Sequence, residues 1–339
     1  MVKHTRKIDS VLRFIYKAAI RNLFFPYIPM KNSIPITLVA LGSYGREQLC
    51  VHSDIDLMIV YRNVDGYALK PMMEKIIQIA WDSGLKLGSR VHEVGELFDV
   101  SNTDITIKTA LLESRLIVGS KSLWHESEKE LEKIRKFAQD EYIAKKIEEL
   151  NLRHAKYPIS MTFNIKESQG GLRDTNTIYW LLNIKYGATK IKDMIGVVFS
   201  DEEYKSYRIA MEYLFRVRNA IHLSSSKKTD TLQLEYLPQV AELMGEKPKH
   251  SNSKEMVLAT KIISYQVEIY TLTMIFINRI LGKLAITIKS FREVLDSEQT
   301  CIDFALVDAL KNFDIAKRDK DLAKYFKSIF SKENSPYLL

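Results

Sequence analysis

The stretch from Leu38 to Tyr61, LVALGSYGREQLCVHSDIDLMIVY, constrains the fold of this chain more than any other. Leu38, Val39, Ala40 and Leu41 form an unbroken apolar run, as expected of a strand buried on both faces. Gly42-Ser43-Tyr44-Gly45 then turns the chain into a short helix, with glycines where positive φ or close backbone approach is needed. A second β-rich run spans Ile55 to Tyr61, with Asp54 at its entrance and Asp56 inside it. A carboxylate in an apolar strand is costly unless it is paired or bound to metal. Strand side chains alternate, so Asp54 and Asp56 project from one face. Two carboxylates there can hold a hard divalent cation, Mg²⁺ or Mn²⁺. The free N–H groups of the turn can hold phosphate oxygens. A lone Asp-x-Asp commonly marks a solvated turn. Between two apolar strands and beside a glycine turn, it points to nucleotidyl transfer.

The net charge of +8 favours acidic partners, and nucleotide, nucleic acid and acidic protein all satisfy it. Two cysteines, Cys50 and Cys301, lack the spacing of a cysteine zinc site and suit a reducing cytoplasm. The apolar stretch Met256 to Ile288 is interrupted by Lys261, Glu268, Arg279 and Lys283, which argues against a membrane span and for a cytoplasmic protein.

Around the central stretch, Thr5 to Phe25 places Ile8, Val11, Leu12, Ile15, Ala19 and Leu23 on one helical face, with lysines and arginines largely elsewhere. Such a helix can lie on a membrane surface, but packing on its own domain is the preferred expectation. Pro26 and Pro29 end it. A helix over Ala68 to Asp82, a third strand over Leu85 to Val94, a helix over Asp104 to Val118 and a long helix over Ser122 to His154 follow. The second half reads as nearly all helical, with a capping box at Ser200 and Glu203, a shorter segment over Thr229 to Met244, and another long helix opening at Ser253. The expected organisation is an amino-terminal helix and linker over 1–35, a sheet domain over 36–125, a helical domain over 126–285 and a helical segment over 286–339. The lysine-rich end suggests the front part of a longer protein.

Gly42-Ser43 followed by Asp54-Ile55-Asp56 resembles the signature of the DNA polymerase β nucleotidyltransferase superfamily. The fuller string GSYGREQL…SDIDL resembles the amino-terminal domain of the bacterial PII uridylyltransferases. KESQGGLRDTNTIYWL, from Lys166, resembles that family's KEGPGGLRD segment, with Ser168-Gln169 in place of Gly-Pro. Read without the family, the paired glycines and Asp174 are a turn with an N-cap. Trp81 to Val91, Asp104 to Gly119 and Phe215 to His222 also match in order.

The resemblance implies an α+β fold, a polymerase-β-like domain with a small mixed sheet followed by an all-helical domain. It implies Asp54 and Asp56 as catalytic metal ligands, Gly42, Ser43, Gly45 and Arg46 as phosphate contacts, and weaker roles for Lys166, Arg173 and Asp174. UTP becomes the expected nucleotide and a PII-type protein the acceptor, with nucleic acid disfavoured. Where the family shows Gly-His-Ser-Val-Arg, this chain has Gly88-Ser89-Arg90-Val91-His92. That departure leaves a third carboxylate unassigned: Glu93 is the nearest guess, while Asp104 and Glu113 match family positions but can equally cap or pair.

No histidine is followed by aspartate, so the His-Asp pair of the family's hydrolase domain is absent from this sequence and transfer without removal is implied. Two other readings stay open. Arg216 and His222 have the spacing of HEPN ribonucleases, and a degenerate domain could bind nucleotide as a regulatory module without turnover.

Overall fold

The computed structural model describes residues 1–282, apart from 28, 31, 32, 66, 67, 160–162, 250 and 251. The expected segment over 286–339 lies outside these residues. Contacts divide the chain into two units. One comprises Met1–Ile147, Tyr179–Thr189 and Arg218–Thr229; the other comprises Glu148–Ile178, Lys190–Val217 and the chain from Asp230 on. The expected boundary near residue 125 falls inside a helix of the first unit.

In the first unit, α1 (Val2–Phe24) precedes β1 (Ile36–Ala40), α2 (Gly42–Gly45), β2 (Ile55–Tyr61), α3 (Leu69–Asp82) and β3 (Leu87–Glu93). Then come α4 (Leu97–Thr103), α5 (Ile105–Leu112), β4 (Arg115–Gly119), α6 (Lys121–Lys136) and the start of α7 (Gln139–Lys156). The strand order is β3-β2-β1-β4, with β1 antiparallel to both neighbours and β2 parallel to β3. This is the small mixed sheet expected. All five residues of β1 are buried, because helices cover both faces. Ile36, Leu38, Ile55, Leu57 and Ile59 pack with α1 and α3. Val39, Leu41, Met58 and Val60 pack with α4, α5 and α6. The basic helix α1 thus packs on its own unit through Leu12, Ile15, Tyr16 and Ala19.

Two elements differ from expectation. The helix expected over Asp104 to Val118 ends at Leu112, and Arg115–Gly119 is a strand instead. Leu116-Ile117-Val118 is β-prone, and its pairing with β1 satisfies backbone groups that a continued helix would leave open at that sheet edge. The single helix expected over Ser122 to His154 breaks at Phe137 and Ala138, where Ala138 has a φ of 46°. The break exposes the Phe137 carbonyl, which accepts from Lys108 Nζ at 2.6 Å. Lys108 is buried, so its ammonium needs that acceptor.

The second unit holds the end of α7, β5 (Phe163–Asn164) paired antiparallel with β6 (Thr231–Leu232), and the start of α8 (Leu172–Tyr186). It also holds most of α9 (Asp201–Ser225), α10 (Leu237–Leu243) and α11 (Lys254–Ile280). The Ser200–Glu203 capping box forms as expected, at 2.8 and 3.1 Å, and Ser253 caps α11. Glu203 also takes a two-pronged bond from Arg279, at 2.7 and 2.8 Å. Phe276 packs edge-on against Phe199 and Tyr207.

Asp174 is the polar keystone of this unit. It is fully buried, 2.9 and 3.0 Å from His154 Nε2, ion-paired with Arg153 at 2.7 Å, and accepts from the Gly170 N–H at 2.8 Å. Burial alone would raise its carboxyl, but His154 and Arg153 outweigh burial and hold it below the ordinary carboxylate range. Gly170, at a φ of +68°, runs against the backbone of Gln266 with no room for a Cβ.

Two tests follow from these contacts. Alanine at Gly45, whose Cβ would collide with the Glu113 carbonyl, or at Gly170 should cost at least about 1–3 kcal/mol in denaturant melts. Alanine at Gly95, which has nothing within 4 Å, should stay within about 0.5 kcal/mol. For Asp174 the folded carboxyl lies below its unfolded value, so its contribution is full above about pH 4 and is lost as pH falls through the folded value. Asp174→Asn should cost about 3–5 kcal/mol at neutral pH and flatten the acid limb of stability, read from urea melts across pH 3 to 7.

Candidate active site

The first β-strand delivers the chain into α2 at the edge of the face that carries Val39, Leu41, Met58 and Val60. Alternation puts Asp56 on that face, and Asp56 is the one exposed residue of β2. Its backbone carbonyl accepts from the Leu41 N–H at 2.9 Å, which fixes the strand against the start of the turn. Asp56 Oδ2 lies 2.8 Å from where a Cβ on Gly42 would stand, and its Oδ1 lies 3.3 Å from the corresponding point on Gly88. Glycine at both positions leaves the carboxylate room. Partial desolvation there, and then the charge of Asp54, push the Asp56 carboxyl up, against the pull of Lys228, Arg90 and Arg46.

The turn itself is held from both sides. Ser43 and Tyr44 head α2, where a helix has no carbonyl of its own for the first N–H groups. Tyr44 donates its hydroxyl to Asp9 of α1 at 2.7 Å, and Arg115 of β4 binds the same carboxylate at 2.9 and 3.0 Å. Arg115 also reaches the Tyr44 and Gly45 carbonyls, each at 3.3 Å. Burial favours the neutral acid at Asp9, but the bonds from Arg115 and Tyr44 prevail and lower its carboxyl. On the other side, Arg46 ion-pairs with Glu113, and Trp180 of α8 donates its indole N–H to the same carboxylate. Arg46 also donates to Gln48 at 3.1 Å.

Asp54 is ion-paired with Lys228, which follows α9. Next to it, the Val51 N–H donates to Asn219 Oδ1 at 3.1 Å and the His52 N–H to His222 Nδ1 at 3.3 Å. The loop leading to Asp54 is thereby tied to α9. His222, the residue a ribonuclease would need, is fully buried.

The sequence-derived residues Gly42, Ser43, Gly45, Arg46, Asp54 and Asp56 therefore meet in one unit. Lys166, Arg173 and Asp174 belong to the other. Lys166 lies 3.7 Å from Glu167 and 3.6 Å from Asp230, Arg173 bonds Glu167 at 3.2 Å, and Asp174 is the keystone already described. Glu93 stands opposite Tyr61, at the far end of β3 from Gly88, which stands opposite Asp56. Five residue steps along the strand separate Gly88 from Glu93, roughly 16 Å. Glu93 Oε1 accepts from the Asn63 N–H instead. Asp104 caps α5, accepting from the Thr106 N–H at 2.7 Å.

Sequence reasoning missed Lys228, Arg90 and Asp9, and left Glu113 unassigned. Nothing in the local sequence marks Lys228 or Asp9, because each partner is distant along the chain. Glu113 carried a signal, its place in TALLESRLIVG.

Among the described residues no group of three or more metal-ligating side chains is gathered. Two carboxylates suit Mg²⁺, which binds through one or two carboxylates and completes its shell with substrate phosphates and water. The donor set thus fits a cation that arrives with a nucleotide. No helix among the described residues is long and apolar enough to cross a membrane.

The family model described as GlnD PII-uridylyltransferase matches residues 141–277. The bifunctional uridylyltransferase/uridylyl-removing enzyme of Methylococcus capsulatus is 33% identical over 226 residues, covering 66% of this chain and 26% of that protein. The protein of the same name from Hydrogenovibrio crunogenus is 34% identical over 238 residues, 68% of this chain and 26% of its own length. That from Vibrio atlanticus is 31% identical over 253 residues, with shares of 73% and 29%. The chain spans between a quarter and a third of the length of these relatives. On the matched family segment and these alignments, the chain belongs to the bacterial PII uridylyltransferase/uridylyl-removing enzyme family.

Proposed function

We propose that the chain is a Mg²⁺-dependent nucleotidyltransferase that moves UMP from UTP onto a hydroxyl of a PII-type protein in the cytoplasm, releasing pyrophosphate. The observation that supports this reading is the close approach of the Gly42–Gly45 turn to the Asp56 carboxylate, which also feels the charge of Asp54. The relatives' names supply the uridylyl group and the PII target; the residues of the site do not select uracil.

Asp54 and Asp56 would hold the cation, which when bound neutralises phosphate charge and orients the α-phosphate. The Ser43 hydroxyl and the N–H groups at the head of α2 would take oxygens of the β- and γ-phosphates. Arg46 would face the departing pyrophosphate. Lys228, released from Asp54 as the cation binds, would add a second positive charge beside the phosphates. The acceptor oxygen attacks the α-phosphorus, the bond to the β-phosphate oxygen breaks, and the hydroxyl proton leaves to solvent. Positioning and electrostatics carry the reaction, since the protein forms no covalent bond.

The test is label transfer from each α-labelled nucleoside triphosphate, with Mg²⁺, onto a PII protein of the same organism. Transfer from UTP alone is expected, and Asp54→Asn or Asp56→Asn should reduce it by about 10²–10³-fold or more with an unchanged melting temperature. Transfer retained at the wild-type rate by Asp56→Asn would end this assignment. Metal-dependent binding without turnover would make the domain a regulatory module. Lys228→Ala should raise the KM for UTP roughly tenfold, equal to about 1.4 kcal/mol of lost phosphate attraction, in the same assay.

A further inference from the structure

Glu113 sits at the corner between α5 and β4, 5% exposed, with no assigned part in the reaction above. Its Oε1 accepts from two donors, the Arg46 guanidinium and the Trp180 indole. Its Oε2 is turned towards the turn, 3.8 Å from the point where a Cβ on Gly42 would stand, the same point that lies 2.8 Å from Asp56 Oδ2. The corner is itself anchored: the Leu112 carbonyl accepts from Asn183 Nδ2 at 3.2 Å and from the Tyr179 hydroxyl at 3.5 Å. The Arg46 side chain, 8% exposed, lies 5.9 Å from the Tyr179 ring and spends its Nε on Gln48.

A carboxylate at this position could serve as a third metal ligand or as an anchor. A carboxylate whose charge a largely buried guanidinium already neutralises is a poor ligand for a hard cation at Oε2 as well as at Oε1, because the guanidinium charge repels the ion. A guanidinium held by a carboxylate on one edge keeps its other N–H groups in a fixed fork, pre-organised for a phosphate. We propose that Glu113 is a positioning residue that aims Arg46 at the triphosphate and contributes no bond to the metal. This deepens the transfer reading and rests on it.

The experiment measures, in the full chain, calorimetric binding of UTP at saturating Mg²⁺, the Mg²⁺ half-saturation at fixed UTP, and the melting temperature. Glu113→Gln keeps an acceptor for Trp180 but loses the ionic hold on Arg46. It should weaken UTP binding about tenfold and leave the Mg²⁺ half-saturation unchanged. Arg46→Lys, which leaves Glu113 charged, should weaken UTP binding similarly. The double variant should be no worse than either single one, since both remove the same interaction. Trp180→Phe keeps an aromatic ring but removes the N–H donor, and serves if Glu113→Gln fails to fold; it should weaken UTP binding by a few-fold with Mg²⁺ half-saturation constant. A Mg²⁺ half-saturation that rises in Glu113→Gln, or in Trp180→Phe in its place, with UTP affinity kept, makes Glu113 a ligand and overturns the proposal. Lower melting temperatures with unchanged UTP affinity reduce it to a packing residue and overturn it equally. No binding of UTP by the wild-type chain removes the transfer reading itself, a result distinct from both.

Discussion

The candidate site depends on how closely the Gly42–Gly45 turn approaches the corner at Glu113. A Cβ at Gly45 would collide with the Glu113 carbonyl and stand 3.0 Å from that of Ala40. Without one, the turn slides between the two backbones. That approach brings Arg46 onto the Glu113 carboxylate and Gly42 beside Asp56. A turn displaced by the width of a methyl group would separate both pairs at once. The sheet contributes the other half of the constraint: β1 is buried on both faces and paired on both edges, so its carboxyl end cannot move to relieve a clash.

The electrostatics follow from that geometry. Asp54 and Asp56 repel one another, and partial desolvation makes the second harder to ionise. Lys228, Arg90 and Arg46 offset this without burying the carboxylates in ion pairs from every side. The arrangement is mixed in sign, with two carboxylates set among three cationic side chains. Asp9 stays ionised at the back of the turn because two donors saturate it, and its charge compensates Arg115.

Much of the fold was legible because the local signals were strong. The apolar run at Leu38, the alternation that sets Asp56 on the face of Met58 and Val60, and the caps at Ser200 and Ser253 each rest on residues within a few positions of one another. The misses share the opposite property. The strand Arg115–Gly119 exists because β1 offers an edge about eighty residues earlier in the chain, and the break at Ala138 serves a lysine thirty residues upstream. Lys228 meets Asp54 across a separation of 174 residues, and Asp9 meets Arg115 across 106. A periodicity in sequence carries no information about such partners. Only the ionic character of the residues could have suggested that each required one.

The most specific motif in the chain turns out to be the least chemical in its surroundings. In KESQGGLRD, Gly170 is pressed on the Gln266 backbone, Asp174 is sealed from solvent by His154 and Arg153, and Arg173 is paired with Glu167. Each of these fits is demanding, so few alternative residues satisfy them together. The Asp-x-Asp pair is a weak sequence signal for the converse reason: two carboxylates on a strand face need only a glycine turn to leave them room. The distinctiveness of a motif thus measures how many side chains must fit one another, and two carboxylates that need only open space beside a glycine turn leave little of that record in the sequence.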